Sequence, residues 1–291
     1  MTALRSAVRA ATGSLAEAGV PSPDVDAVEL AAHVLGVDPS EVRRQMVVGG
    51  VLPTGFEEAY AAVLAERVRR VPLQHLTGRA HFRTLTLHVG PGVFVPRPET
   101  EVLVDLALAE VDRLSGSRPG GIRLVDLCAG SGAIALSVKA ERPAVAVRAL
   151  ELSDEAVAWA MANRDRLGLD VEVVPGDATE PAFGDWTGSV DVVTVNPPYI
   201  PTTAVPNEPE VRDHDPQVAL YGGSEDGLAI PLRVAAAAAR LLRPGGLLLM
   251  EHADSQGESL PSRILATGEW GEVIDHEDLA GRPRVAAARR R

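Results

Sequence analysis

Val190-Asp191-Val192-Val193-Thr194-Val195, followed by Asn196-Pro197-Pro198-Tyr199, is the stretch on which the reading of this chain turns. Four valines in six residues, closed by a double proline, predict a buried strand of a parallel sheet. Each proline lacks an N–H and holds φ near one value, so the chain must leave the sheet stiffly after Val195. Asn196 precedes a proline and is pushed towards extended backbone. Its side-chain amide and the Pro197 carbonyl then have neither helix nor ladder to join, while Tyr199 adds a flat face with a polar tip. Rigid acceptors beside an aromatic plane, at a strand's carboxyl end, suit a planar group that carries N–H bonds. An isolated NPPY is equally well a strand-ending turn with a buried Tyr, so its surroundings must decide.

Those surroundings are a strand–helix alternation. From Ile122 the hydrophobic pattern predicts strands at Ile122–Leu127, Val145–Leu150, Val171–Val174, Val190–Val195 and Leu247–Met250. Helices near Ala133–Glu141, Asp154–Leu167 and Leu228–Leu242 fall between most of them, and residues 270–288 read as a final strand pair joined through Asp278–Pro283. The expectation is an α/β domain with a mostly parallel sheet covered on both faces.

The remaining chemistry collects at the ends of those strands, where open α/β sheets bind ligands. Asp126-Leu127-Cys128-Ala129-Gly130-Ser131-Gly132 follows the first strand and opens a helix, and its glycines permit a tight turn and close backbone approach. Gly130-Ser131-Gly132-Ala133-Ile134-Ala135 also fits the G-x-G-x-x-A form of a dinucleotide site. Asp126 would repel a pyrophosphate but welcome a cationic amino-acid moiety, which favours a ligand bearing an ammonium and a sulfonium. Cys128 has no His near it in sequence and reads as a small side chain lining a cofactor. Glu151 closes the second strand, where a carboxylate can accept from two ribose hydroxyls. Asp177 and Ala178 close the third: the acid could accept from an adenine amino group, or simply cap a turn.

Composition excludes other classes. The 291 residues are 46% hydrophobic and 23% charged, ordinary for a globular protein with one large and one small domain. A net charge of −12 argues against a strong nucleic-acid footprint, and no apolar run has the length of a membrane span. A single cysteine, Cys128, and an amphipathic N-terminus without an apolar signal core predict a reduced, cytoplasmic protein. The seven histidines show no H-E-x-x-H or paired spacing, so no metal site is expected.

Residues 1–72 carry helix patterns between stop signals. Leu4, Val8 and Leu15 share a face, Ser22-Pro23 marks a helix start and Gly36 a stop. Asp38–Glu41 and Thr54–Glu57 have the spacing of capping boxes, the second opening a helix to about Arg70. Over 78–95, alternation around Leu85, Leu87 and Val89 with Pro91-Gly92 predicts a hairpin linker, and residues 96–100 stiffen the approach to a helix over 101–114. Residues 115–121 read as a flexible joint. Glu208, Glu210, Asp213 and Asp215, set among prolines in 200–226, read as acids of a solvated loop.

With DLCAGSG, Glu151, GDA and NPPY in order, the second domain resembles the class I S-adenosylmethionine-dependent methyltransferases. The whole chain is similar to the glutamine N5-methyltransferases that modify peptide chain release factors. That likeness rests on the helical N-terminal domain, Leu76-Thr77-Gly78 with Phe82, the linker from Pro91 to Glu101, Glu210-Val211-Arg212, Asp226-Gly227 and Gly281-Arg282-Pro283-Arg284-Val285. It departs from the family at Ala129, commonly Thr there, and at Ala178, aromatic in some members. The resemblance implies a Rossmann-like domain (101–291) with an antiparallel last strand, joined by a β-hairpin linker (75–100) to a helical substrate-recognition domain (1–74). It implies S-adenosyl-L-methionine as cofactor and S-adenosyl-L-homocysteine as product. It implies that Asn196 and Pro197 accept the N–H bonds of a glutamine amide, while Tyr199 packs on its plane and Pro198 stiffens the corner. Phe94 and Arg97 would lie over the cofactor. Class 1 release factors would be the substrate, with no stable nucleic-acid or membrane partner, and the chain would be a monomer. An N6-adenine nucleic-acid methyltransferase shares the NPPY and is the alternative; an NAD-dependent dehydrogenase is the reading of the glycine loop by itself.

Overall fold

The computed structural model describes residues 2–116, 118 and 120–291. The chain divides into two compact units, one of residues 1–79 with 206–214, the other of 80–205 with 215–291.

The first unit is helical. Helices α1 (Ala3–Glu17), α2 (Pro23–Leu35), α3 (Pro39–Val48), α4 (Phe56–Val68) and α5 (Leu73–Thr77) follow one another. Leu4, Val8 and Leu15 are buried on one stripe of α1 against Ala27, Leu30, Ala31 and Tyr60, as helical periodicity requires. Gly36 ends α2 at φ +65°, and Asp38 caps α3 by accepting from Ser40 N at 2.8 Å. Two expected caps differ. Ser22 makes no side-chain capping bond, and Gly55 rather than Thr54 precedes α4, at φ +84°. Glu41 reaches forward to Arg44 and Gln45 instead of back to its cap.

The second unit opens with β1 (Arg79–Phe82, its first residue from the helical unit) and β2 (Leu85–His88), a two-stranded ribbon. The ribbon turns at Arg83-Thr84, with Arg83 at φ +51°, not at Pro91-Gly92 as the punctuation suggested. Arg83 is held there by donating to Glu101 and Glu141, a constraint without local sequence signature. After β2 the chain runs through Val93 and Val95, both buried, to α6 (Glu101–Leu114). Of the joint expected at 115–121, residues 117 and 119 lie outside the described residues.

Next come β3 (Arg123–Leu127), α7 (Ala133–Glu141), β4 (Ala146–Glu151), α8 (Asp154–Leu167), β5 (Val171–Pro175) and β6 (Val190–Val195). They are followed by α9 (Pro209–His214), which belongs to the helical unit, then α10 (Ala229–Leu241), β7 (Leu242–Glu251), α11 (Ser259–Ala266), β8 (Trp270–Glu277) and β9 (Pro283–Arg290). Among the described residues seven strands form one sheet in the order β5-β4-β3-β6-β7-β9-β8. β3 to β7 run parallel, and β9 inserts antiparallel to both β7 and β8. The expected α/β class and antiparallel last strand are therefore present. Helices α5, α9 (inside the loop expected over 200–226) and α11 were not expected from the sequence.

Both faces of the sheet are covered. Leu124, Val192 and Leu249 pack with Leu103, Leu136 and Val157 from α6, α7 and α8. Their neighbours Val125, Val193 and Leu248 pack on the opposite side with Val234, Ala238, Leu260 and Ile264 from α10 and α11. All six residues of β6 are buried, which is why its sequence is a continuous apolar run rather than an alternation. Strand order reverses between β3 and β6, and Leu127 pairs with Val195, so the segments leaving these two strands flank a switch-point crevice.

Candidate active site

Five strand ends lie level along one edge of the sheet: Leu127 pairs with Leu150 and Val195, Glu151 with Pro175, and Val195 with Met250. The segments leaving those ends carry nearly every residue singled out from the sequence.

The loop after β3 is a strained, well-tethered turn. Cys128, Gly130 and Gly132 take φ of +59°, +55° and +84°. The non-glycine residue costs about 1–2 kcal/mol in that region, so the surrounding bonds must over-determine it. They do. Ala129 N donates to Leu150 O at 3.0 Å, Gly132 N to Ala129 O at 2.8 Å and Gly130 N to Glu151 Oε2 at 2.8 Å. Asn163 of α8 donates to Ser131 O at 3.1 Å and also to His88 O at 2.9 Å, joining the loop to the ribbon. Ala129 and Ser131 are buried, so the loop offers a ligand backbone and the Cys128 side chain. A Cβ built on Gly130 meets nothing within 4 Å, so the turn faces open space where a ligand can approach closely.

Three carboxylates act together on the Cys128 thiol. Burial first, then Glu151, Asp126 and Asp177, push it well above the usual thiol range, so it stays protonated and is no nucleophile. Glu151 accepts from Ser153 N at 2.9 Å as well as from Gly130, each on a different oxygen, which leaves a lone pair on each for a diol. Asp177 accepts from Thr179 N and Oγ1 on Oδ1, so the turn-capping role is realised there. Ala178 is buried against the sheet.

Asp126 stands differently from the expectation of an acid displayed to a ligand. It is wholly buried, accepting from Thr194 Oγ1 at 2.8 Å and Ala135 N at 3.2 Å. Burial pushes its carboxyl up to about 7 against those two bonds. It ties β3 to β6 and to the start of α7, beneath the loop rather than beside it.

After β6, Pro197 and Pro198 are buried while Asn196 and Tyr199 are half-buried. Asn196 Nδ2 points to Thr100 Oγ1 at 3.4 Å. Tyr199 is held at both ends: its hydroxyl donates to Glu251 Oε1 at 3.2 Å, and its carbonyl accepts from Gln256 Nε2 at 2.9 Å. Arg97 lies over the Phe94 ring at 5.0 Å and donates to Asp215 at 2.8 Å. Asp215 has a side chain inaccessible to solvent, and Glu210 is paired with Arg67 and Arg70, so two of the four acids read as solvated are not; Glu208 and Asp213 are exposed. The sequence reading missed Thr100, Glu251 and Gln256. Glu251 closes β7 as Glu151 closes β4, and that shared strand-end position was the available signal.

The arrangement has what S-adenosyl-L-methionine asks of a protein: a tight glycine turn with open space before it, a carboxylate with lone pairs for a ribose, and a protonated, apolar-leaning side chain between them. Among the described residues no three or more of His, Cys, Asp or Glu come together as ligands for a metal ion.

Comparison with known proteins adds two domain families and a set of full-length relatives. Residues 6–78 match the PrmC N-terminal domain, and residues 101–208 match the methyltransferase small domain. The release factor glutamine methyltransferase of Streptomyces coelicolor is 47% identical over 100% of this chain and 99% of its own. That of Mycolicibacterium smegmatis is 45% identical at the same coverage, and that of Deinococcus radiodurans 40% identical over 99% of this chain and 98% of its own. With both domains matched in order and likeness sustained from end to end, the chain belongs to the release factor glutamine methyltransferase family.

Proposed function

We propose that this chain transfers a methyl group from S-adenosyl-L-methionine to the side-chain amide nitrogen of the glutamine in the Gly-Gly-Gln motif of class 1 peptide chain release factors. The products are N5-methylglutamine and S-adenosyl-L-homocysteine. One observation carries the reading within the structure: the NPPY corner and the glycine turn leave adjacent parallel strands at the same level, Val195 beside Leu127. A planar amide at the first would then meet a methyl donor at the second.

The cofactor supplies an electrophilic methyl on a sulfonium; the protein supplies position. An amide nitrogen is a poor nucleophile because its lone pair is delocalised into the carbonyl. Asn196 Oδ1 and the Pro197 carbonyl would accept the two amide N–H bonds, fixing the plane and raising electron density on nitrogen. Tyr199 would pack against that plane. The buried prolines keep both acceptors from relaxing. The proton leaves after transfer, so no strong base is needed in the approach. Glu151 and the turn 128–132 would seat the adenosyl part, with Asp177 and Ala178 at the base and Phe94 with Arg97 covering it. The helical unit would hold the release factor.

A net charge of −12 disfavours the alternative nucleic-acid substrate, and no helix among the described residues is long and apolar enough to cross a membrane. A cytoplasmic monomer without a stable nucleic-acid partner completes the proposal. Incubation with labelled cofactor and release factor, then mass mapping, should place one methyl on the Gly-Gly-Gln glutamine. Label on DNA or RNA, or elsewhere on the release factor, would refute it.

A further inference from the structure

Behind Asn196 and Tyr199 lies a buried polar group that the reaction as described does not use. Glu251 is 2% exposed and Thr100 is 4% exposed, both far below the usual accessibility of such residues. An acid is not carried into a sheet interior without partners, because desolvation of its charge is costly. Glu251 has three. Tyr199 donates to Oε1 at 3.2 Å, and the Thr100 hydroxyl and Arg284 oppose the burial that nonetheless pushes the Glu251 carboxyl up. Arg284 is in turn held by Asp278 and by the His252 carbonyl, so it stands at the start of β9 as a fixed charge.

These bonds have a direction. Asn196 Nδ2 can only donate, and it faces Thr100 Oγ1 at 3.4 Å. The threonine oxygen receives that hydrogen, and its hydroxyl acts in turn on the Glu251 carboxyl. Thr100, beside the Glu251 carboxyl, therefore holds the Asn196 amide with its nitrogen inward. The asparagine oxygen is left facing away, where it can accept from a substrate amide. Reversed, the same asparagine would present a donor to the substrate's N–H bonds and repel them.

We propose that Thr100 and Glu251 are positioning residues for the methyl transfer, setting which way round the Asn196 amide stands and anchoring the Tyr199 ring. The proposal rests on the roles given above to Asn196 and Tyr199. It also explains the placement of Thr100 immediately before α6, where its side chain makes no capping bond to the helix.

Glu251→Gln keeps the shape but introduces a donor that can point at Thr100 and reverse the chain. Thr100→Val keeps the shape and removes the relay, and Thr100→Ser restores it. Measured on the full chain with a release factor, kcat should fall about 100-fold in Glu251→Gln and Thr100→Val, the scale of a misplaced reacting group. Thr100→Ser should recover most of the loss, and cofactor affinity by calorimetry should stay within about threefold of wild type, since no cofactor contact is removed. The double variant should be no worse than the poorer single one, as residues acting through one chain are not additive. If Glu251→Gln does not fold, the threonine pair carries the test alone. Undiminished kcat in Thr100→Val, or a fall matched by lost cofactor affinity, overturns the positioning role. Wild type in the same assay separates the two layers: no methyl on the glutamine sinks the underlying reading, whereas normal wild-type transfer beside active variants sinks only this one.

Discussion

Removing the charge of Glu210 should loosen segment 206–214 within the helical unit by about 3 kcal/mol. Glu210 Oε1 lies 2.8 Å from both Arg67 Nη1 and Arg70 Nε, and its Oε2 2.6 Å from Arg70 Nη2. Arg67, with a side chain 5% exposed, also pairs with Asp26 at 2.7 Å, so two acids share two guanidinium groups away from water. Burial pushes the Glu210 carboxyl up, but Arg70, its own backbone and Arg67 outweigh that and bring it from 4.5 to about 2. That lowering would be worth about 3.5 kcal/mol for a fully buried group, and solvent at the 13% exposed side chain brings it to about 3 kcal/mol. Breaking a buried ion pair by deleting one partner costs about 3–5 kcal/mol, and retention of Asp26 places this case at the lower end. Because the folded value lies below the unfolded one, the contribution is complete above about pH 4.5 and fades as pH falls towards 2. The assay is amide hydrogen exchange on the full chain at pH 7. Glu210→Gln should accelerate exchange in 206–214 by about 100-fold, the equivalent of that free energy. In acid the wild type should lose its advantage over the variant. Exchange within about threefold of wild type at pH 7 would refute the reasoning, since the ion pairs would then hold nothing.

Four further outcomes are expected. Asn196→Ala should cut turnover by about 1,000-fold with near-normal cofactor affinity by calorimetry; equal loss of affinity would contradict its role. Glu151→Ala removes the acceptor that holds both Gly130 N and Ser153 N and should weaken cofactor binding by at least about 10-fold, measured by the same titration. Gly132→Ala places a Cβ 2.9 Å from Leu136 at φ +84°, and should lower the unfolding free energy by about 1–2 kcal/mol in a denaturant titration. Asp126, pushed by burial up to about 7, keeps its proton in the fold over a range where the unfolded carboxyl has lost it. It should make wild-type stability decline as pH rises from about 4 to 7, by on the order of 4 kcal/mol; Asp126→Asn should flatten that slope in urea titrations across the range.

What the amino-acid sequence determined by itself was whatever depends on neighbours along the chain. β6 at Val190–Val195, α6 at Glu101–Leu114, α7 at Ala133–Glu141 and α8 at Asp154–Leu167 fall where their apolar periods and stop signals put them. Strand-end position, a local property, was enough to put Asn196, Glu151 and the turn 128–132 at one edge of the sheet. α11 has no place in the sequence expectation, although its Pro261 lies in the first turn, where no N–H is required of it. The ribbon turn at Arg83 has no local signature, because its backbone N–H on Glu101 and its guanidinium on Glu141, not a glycine, hold the positive φ.

Only the tertiary structure decided which polar groups are buried and whom they meet. Glu210 finds Arg70 across 140 residues of sequence, Asp215 finds Arg97 across 118, and Tyr199 finds Glu251 across 52. An acid among prolines looks solvated from its neighbours alone, since nothing local records a guanidinium that arrives from elsewhere. The same holds for Asp126, which reads as a displayed acid but is taken beneath the turn by Thr194 and Ala135. Periodicity tells a chain which face to bury; the free energy of a buried charge depends on its partner, and that partner is chosen only when the strands come into register.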